Sequence, residues 1–151
     1  MTAAVSKRKA QTMLISELNR SLALVAWHFG PKGLNGQCCG DLSMPEFIAL
    51  EKVSSARDCS VQAVGDCLGF TKSGATRIVN RLEKKGYVEK RKSSQDGRVC
   101  CVVITPKGEA ILKQVDRQYL QQLEALQSKM PPAVVPEIGP VIIALAGAIK
   151  G

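Results

Sequence analysis

Apolar positions recur every three to four residues through Met13, Leu14, Leu18, Leu22, Val25 and Phe29, a spacing that predicts an amphipathic helix from about Lys9 to Phe29. Gly30-Pro31 ends it. The stretch "GPKGLNGQCCGD" that follows is too rich in glycine for regular structure and predicts a loop. A second helix is expected to open at "SMPE", where Ser43 can cap the free amides, Glu46 can reach back and Pro45 sits in the first turn. Phe47, Leu50 and Val53 give this helix its buried face.

Shorter periods follow. "CSVQAVGDCLGF" predicts a short helix with Ser60 as N-cap, Val61, Val64 and Leu68 on one face and Gly69 as its stop. Thr71 then caps another helix. At about 100° per residue, Ala75, Ile78, Val79 and Leu82 fall on one side of it and Ser73, Arg77, Asn80 and Lys84 on the other. Two short helices joined by a tight glycine-containing turn, the second presenting hydroxyls, Asn and Arg, are the parts of a helix-turn-helix.

Beyond Gly86, "YVEKRK" and "VCCVVIT" are β-prone runs separated by "SSQDGR", whose Asp-Gly marks a turn, so residues 87–105 predict a hairpin. Directly after a helix-turn-helix, such a hairpin is a wing. "TPKGEAIL" opens a long helix with Thr105 as N-cap, Pro106 at its first position and a seam of Leu112, Val115, Tyr119, Leu123 and Leu126. Pro131-Pro132 breaks it. The last segment, "AVVPEIGPVIIALAGAIK", is apolar on nearly every side, which predicts burial against a second subunit. Pro136, Gly139 and Pro140 predict that its helix is kinked or begins only after Pro140. The fold class expected is mainly α with a small β-hairpin wing (α+β). Residues 1–42 and 106–151 are assigned to dimerisation and residues 43–105 to a winged core, within one structural domain.

Composition narrows the function. The chain has 151 residues, 45% of them hydrophobic and 23% charged, which is the size and balance of one globular domain rather than a disordered tail. Its net charge is +8, and the stretch from Thr71 to Arg98 holds nine basic residues against three acidic ones, so most of the excess lies where the helix-turn-helix and wing are expected. That concentration points to a polyanionic partner. No apolar run approaches the ~20 residues of a membrane span, and no secretory signal is legible, so a cytoplasmic protein without membrane contacts and with reduced thiols is expected. No Ser-His-acid set, phosphate-cradling glycine motif or paired-carboxylate arrangement stands out, so no catalytic residues, enzyme activity or cofactor are expected. With one His and no CxxC pair, a structural metal site is not expected either.

The six cysteines divide by context. Cys38 and Cys39 lie in the glycine-rich linker, where both sulfurs could turn towards one soft ion or oxidant, so they are the candidate sensing pair. Cys59 precedes a helix cap, where the amide dipole can lower a thiol pKa, but a phosphate-binding role for the neighbouring Ser60 explains the local sequence equally well. Cys67 flanks a buried face and is read as packing. Alternation along the second wing strand makes Cys100 a small core residue and Cys101 a tolerated strand residue.

The run "LGFTKSGATRIVNRLEKKGYVEKRKSSQDGRVCCVVITPKGEAIL" resembles the winged helix-turn-helix core of the MarR family of bacterial transcription regulators, and the flanking helices extend the likeness to nearly the whole chain. The likeness rests on the "RLEKKGYVEK" junction, the Asp-x-Arg of the wing at Asp96 and Arg98, and the "TPKGEAIL" helix start. It implies a homodimer with interlocked terminal helices, two winged lobes reaching successive major grooves of a palindromic double-stranded DNA operator, an effector site near the dimerisation region and no enzyme activity. Carried over by residue, it makes the helix at Thr71 the recognition helix. Ser73, Thr76 and Arg77 become the candidate base or phosphate contacts and Lys72, Asn80 and Arg81 phosphate holders; the helix caps Ser60 and Thr71 complete the candidate DNA-binding set. In the wing, Arg98 is expected to enter the minor groove with Asp96 holding it. The function so implied is that of a dimeric, sequence-specific transcriptional repressor released by a small-molecule effector or by thiol oxidation. A soft-metal or thiol-handling protein that uses a winged domain as an interaction scaffold is the alternative, and a steep loss of DNA binding with salt separates the two.

Overall fold

A computed structural model of the chain describes residues 2–30, 37–92 and 100–150. Its elements run α1 (Thr2–Phe29), β1 (Gln37–Cys39), β2 (Leu42–Ser43), α2 (Met44–Ser54), β3 (Cys59–Ser60), α3 (Val61–Leu68), α4 (Lys72–Lys84), β4 (Val88–Lys92), β5 (Cys100–Ile104), α5 (Pro106–Gln127) and α6 (Val135–Lys150). The class is the expected one, mainly α with a small antiparallel sheet. Two compact units divide the chain, residues 1–113 and 114–151. Among the described residues no helix is long and apolar enough to cross a membrane.

In the first unit, three short helices and a sheet enclose the core. Leu42, Leu50, Val53, Val64, Val79, Leu82, Val88 and Val102 are fully buried there. The sheet has the order β3-β5-β4, all antiparallel, with Val88 opposite Ile104 and Lys92 opposite Cys100 along the wing. β3 was not expected, because two residues are too few to carry an alternation. It pairs Cys59 with Val102 and Ser60 with Cys101, and so ties the start of α3 to the wing. Residues 37–39 also depart from the expected loop, since β1 pairs with β2 across a turn in which Gly40 takes a φ of 66°. Backbone pairing there needs no hydrophobic pattern, and the glycine-rich composition hid it.

Local chemistry explains the helix ends. Gly69 has a φ of 65°, the left-handed conformation that closes α3 and turns the chain towards α4. The Thr105 hydroxyl accepts from the Gly108 amide at 3.1 Å and donates to the Gly86 carbonyl at 2.7 Å, so the cap of α5 is also a clamp on Gly86, two residues beyond the end of α4.

A polar network under the helices fixes α2 to the end of α4. Glu46 is only 3% exposed, and its Oε2 accepts from the Ser43 amide at 2.7 Å, the Ser43 hydroxyl at 2.9 Å and the Lys85 ammonium at 2.9 Å. Lys85 also donates to the Asp41 carbonyl at 2.6 Å, and the Tyr87 hydroxyl donates to Asp41 Oδ1 at 2.7 Å. Burial by itself would raise the Glu46 pKa, but the Ser43 amide, Lys85 and the Ser43 hydroxyl outweigh it and hold the carboxyl below its ordinary value. Burial and the Asp41 carboxylate push Tyr87 up to about 12.

A carboxylate whose folded pKa is depressed stabilises the fold above its unfolded pKa, and that contribution is lost as pH falls through the folded value. Glu46→Gln keeps the shape but weakens three charge-assisted bonds, so it is expected to lower stability at neutral pH by about 1.5–3 kcal/mol. The difference from the parent should shrink as the pH falls into and below the carboxylate range, as read by urea unfolding at several pH values. A gap that stays constant with pH would exclude the charge on Glu46 as its origin.

The second unit contains α6 and the end of α5. α6 starts at Val135 rather than after Pro140, and Pro140 lies inside it. Pro136 is in the first turn, where a missing amide hydrogen removes no helix bond. Pro140 leaves the Pro136 carbonyl without its helix donor, but both residues are exposed and water can take its place. Of the expected α5 seam, Leu112 and Val115 are buried, while Tyr119, Leu123 and Leu126 are half-buried.

Candidate nucleic-acid interface

The α4 sequence "KSGATRIVNRLEK" sorts as its periodicity predicts. Ala75, Ile78, Val79 and Leu82 are all buried. Ser73, Arg77, Asn80 and Lys84 are all exposed. Burial of the whole apolar stripe fixes the rotation of the helix, so the opposite face is held outward by the core rather than by its own polar contacts. Thr71 caps the helix by accepting from the Gly74 amide at 3.3 Å, and its hydroxyl lies 3.1 Å from that of Ser73. The Thr76 hydroxyl donates to the Lys72 carbonyl at 2.8 Å. Its proton is thereby used within the helix, and its oxygen can only accept. Lys72, Arg77 and Arg81 are exposed and form no ion pair among the described residues, so all three cations are open to an anionic partner.

Ser60 caps α3, accepting from the Ala63 amide at 3.0 Å, and is half-buried beside the sheet. Asp96 and Arg98 lie outside the described residues. Cys38 and Cys39 have their backbones in β1.

One member of this surface was not singled out in the sequence. Lys90, on β4, donates to Asn80 Oδ1 and to Glu83 Oε2, each at 2.6 Å. Only the packing of the wing strand against α4 brings it there, so no local spacing announces it. The end of α4 is anchored as well: the Lys107 ammonium donates to the Lys85 carbonyl at 2.7 Å and lies 5.1 Å from the centre of the Tyr87 ring.

The thiols correct three expectations. Cys59 is buried, and burial pushes its pKa up, outweighing the charge of Lys52, so the helix dipole does not activate it. Cys101 is a core residue at 3% exposure, because both faces of β5 are covered at that point. Cys67 is exposed rather than packed. A small alkylating reagent is therefore expected to modify Cys67 in the native protein and to spare Cys59 and Cys101 until the protein is unfolded. Peptide mapping checks this, and rapid labelling of Cys59 in the native protein would contradict it.

Helices and sheet in this order, with a cationic helix face held outward beside the sheet, define a winged helix-turn-helix protein. Residues 40–99 match the MarR family model. Transcriptional repressor MprA of Escherichia coli strain K12 is 37% identical over 71 residues, an alignment that takes in 46% of this chain. The chain thus spans only 40% of the length of that relative. Streptococcus pneumoniae FabT, solved in complex with DNA, superposes with a TM-score of 0.62 at 25% identity, over 95% of this chain and 96% of FabT. The transcriptional regulator BldR of Sulfolobus solfataricus shares the fold with a TM-score of 0.65 at 21% identity, over 93% and 94% of the two chains.

Proposed function

We propose that this protein is a dimeric, sequence-specific DNA-binding regulator of transcription that acts as a repressor in the cytoplasm. The observation that carries this reading is α4, whose buried apolar stripe aims Lys72, Ser73, Arg77, Asn80 and Arg81 outward together. In it, α4 enters the major groove, Arg77 bonds a guanine edge and Lys72 and Arg81 hold phosphates. Thr76 can serve a base only as an acceptor. Thr71 and Ser60 place their helix amides near the backbone. Residues 43–105 form the reading lobe and the segments 1–42 and 106–151 join two copies, giving two-fold symmetry suited to a palindromic operator with half-sites about one helical turn apart. The wing adds Arg98 to the minor groove under the restraint of Asp96. The FabT complex with DNA and the repressor MprA support the reading by their likeness to this chain.

Duplexes selected from a random pool test it. An inverted repeat bound with a steep inverse dependence on salt is expected. Arg77→Ala should weaken binding to that repeat by about 1–3 kcal/mol and relax the preference at one base pair, while Arg98→Ala and Asp96→Ala should both weaken it. Selection of no common site, or a parent affinity indifferent to salt, would leave the scaffold reading in possession. For release, the reading is that a small molecule or an oxidant acting at Cys38 and Cys39 frees the DNA. A Cys38→Ser/Cys39→Ser double variant should bind DNA when reduced and ignore oxidant, and an unchanged oxidant response would remove those thiols from the mechanism.

A further inference from the structure

We propose that Lys90 is a positioning residue for the recognition helix: it fixes the carboxamide of Asn80 so that this side chain meets DNA as a hydrogen-bond donor only. The inference rests on the DNA-binding reading and deepens it at one residue. Asn80 shares the exposed face of α4 with Ser73 and Arg77. Its Oδ1 is 2.6 Å from the Lys90 ammonium, and that ammonium is 2.6 Å from Glu83 Oε2. Glu83 follows Asn80 by three residues on the same helix, so both acceptors rise from one surface and Lys90 reaches them from β4.

The orientation of an asparagine amide is decided by its neighbours. An ammonium has three donors and no acceptor, so it tolerates Oδ1 and excludes Nδ2 from the inner position. Glu83 prevents the ammonium from drifting off, because leaving Asn80 would also lengthen a charge-assisted bond. The free end of Asn80 is then its NH2 group, polarised by the cation on the oxygen. Bidentate recognition of adenine needs Oδ1 to accept from N6 while Nδ2 donates to N7. With Oδ1 held towards β4, Asn80 is suited instead to an oxygen that only accepts, and the phosphate backbone supplies such atoms. Lys90 therefore governs what Asn80 can read, without itself having to touch DNA.

Removing Lys90 alone would expose the charge of Glu83, so the test uses Glu83→Gln/Lys90→Met, which leaves the net charge unchanged. Affinity for the selected duplex is measured for this pair of changes in the parent and in an Asn80→Ala background. A loss of about tenfold with Asn80 present, against about twofold or less without it, is the expected coupling. Equal losses in the two backgrounds, or no loss in either, overturn the proposal. The position of Asn80 is tested separately from DNA. In the nitrogen-labelled free protein, the Asn80 side-chain amide protons should move upfield in the double variant, because the ammonium no longer polarises the amide. Signals that stay in place overturn the proposal whatever the affinities. A parent protein that selects no duplex would instead overturn the DNA-binding reading, and the amide signals would still decide the role of Lys90. Thermal unfolding of each variant accompanies both measurements, and all of the changed side chains are at least partly exposed.

Discussion

In the proposed dimer, Ile142→Glu with Ile143→Glu is expected to leave monomers and to abolish binding to the selected duplex. α6 exposes Val141, Ile142, Ile143, Leu145 and Ile149, with Ile143 73% accessible, and α1 separately exposes Leu14, Leu18, Leu22, Val25 and Trp27. Apolar surface of this extent on a protomer matches the composition of a permanent homodimer interface. Burying an isoleucine at such a seam is worth about 1.5–3 kcal/mol, and under two-fold symmetry each substitution counts twice. A glutamate in its place adds the desolvation of an unpaired carboxylate. The dimer should therefore loosen by well over a thousandfold, since about 4 kcal/mol already corresponds to that factor. Sedimentation at micromolar concentration and a binding titration read the two consequences. Removal of residues 131–151 should act the same way, and a variant that still sediments as a dimer with full affinity would place the interface elsewhere.

Gly108→Ala is expected to destabilise the winged core by about 3 kcal/mol or more, although the same change in an open helix position stabilises by about 1 kcal/mol. A Cβ on Gly108 would run into the carbonyl oxygen of Tyr87 and come within 2.7 Å of Ile104 Cγ1. The first of these is backbone and cannot rotate away. It also accepts the Thr105 amide at 3.0 Å, so moving it strains the join between the wing and α5. Urea unfolding measures the change. A neutral or stabilising outcome would mean that α5 does not approach the sheet this closely. Ile104→Val should recover little of the loss, because the carbonyl stays in place.

The hydrophobic pattern of α4 is the clearest case of structure legible in the chain. Its four buried residues and its exposed face follow from a period of 3.6 with one partner surface, and a core on one side leaves no choice of rotation. The caps were equally legible at Ser60, Thr71 and Thr105, because a side-chain oxygen three residues before an amide is a local arrangement. Glu46 was readable as a helix-start residue for the same reason, but its burial with Lys85 was not, since their contact joins residues 39 positions apart. Cys59, Cys67 and Cys101 were misread because exposure depends on what covers each face. Alternation assigns a side of a strand without saying whether that side is open, and β5 is covered on both at Cys101. The two-residue strand β3 lacks the length to carry any pattern.

The sequence by itself determined the order of helices and wing, the outward face of α4 and the concentration of positive charge over α4 and the wing, because each of these depends on neighbours within one or two helical turns or on composition. Tertiary structure alone decided that Lys90 faces Asn80, that Glu46 ties α2 to the end of α4, and that Gly108 admits the Tyr87 carbonyl. Those are meetings of distant segments, and their partners are set by how the sheet packs on the helices, which no local spacing encodes.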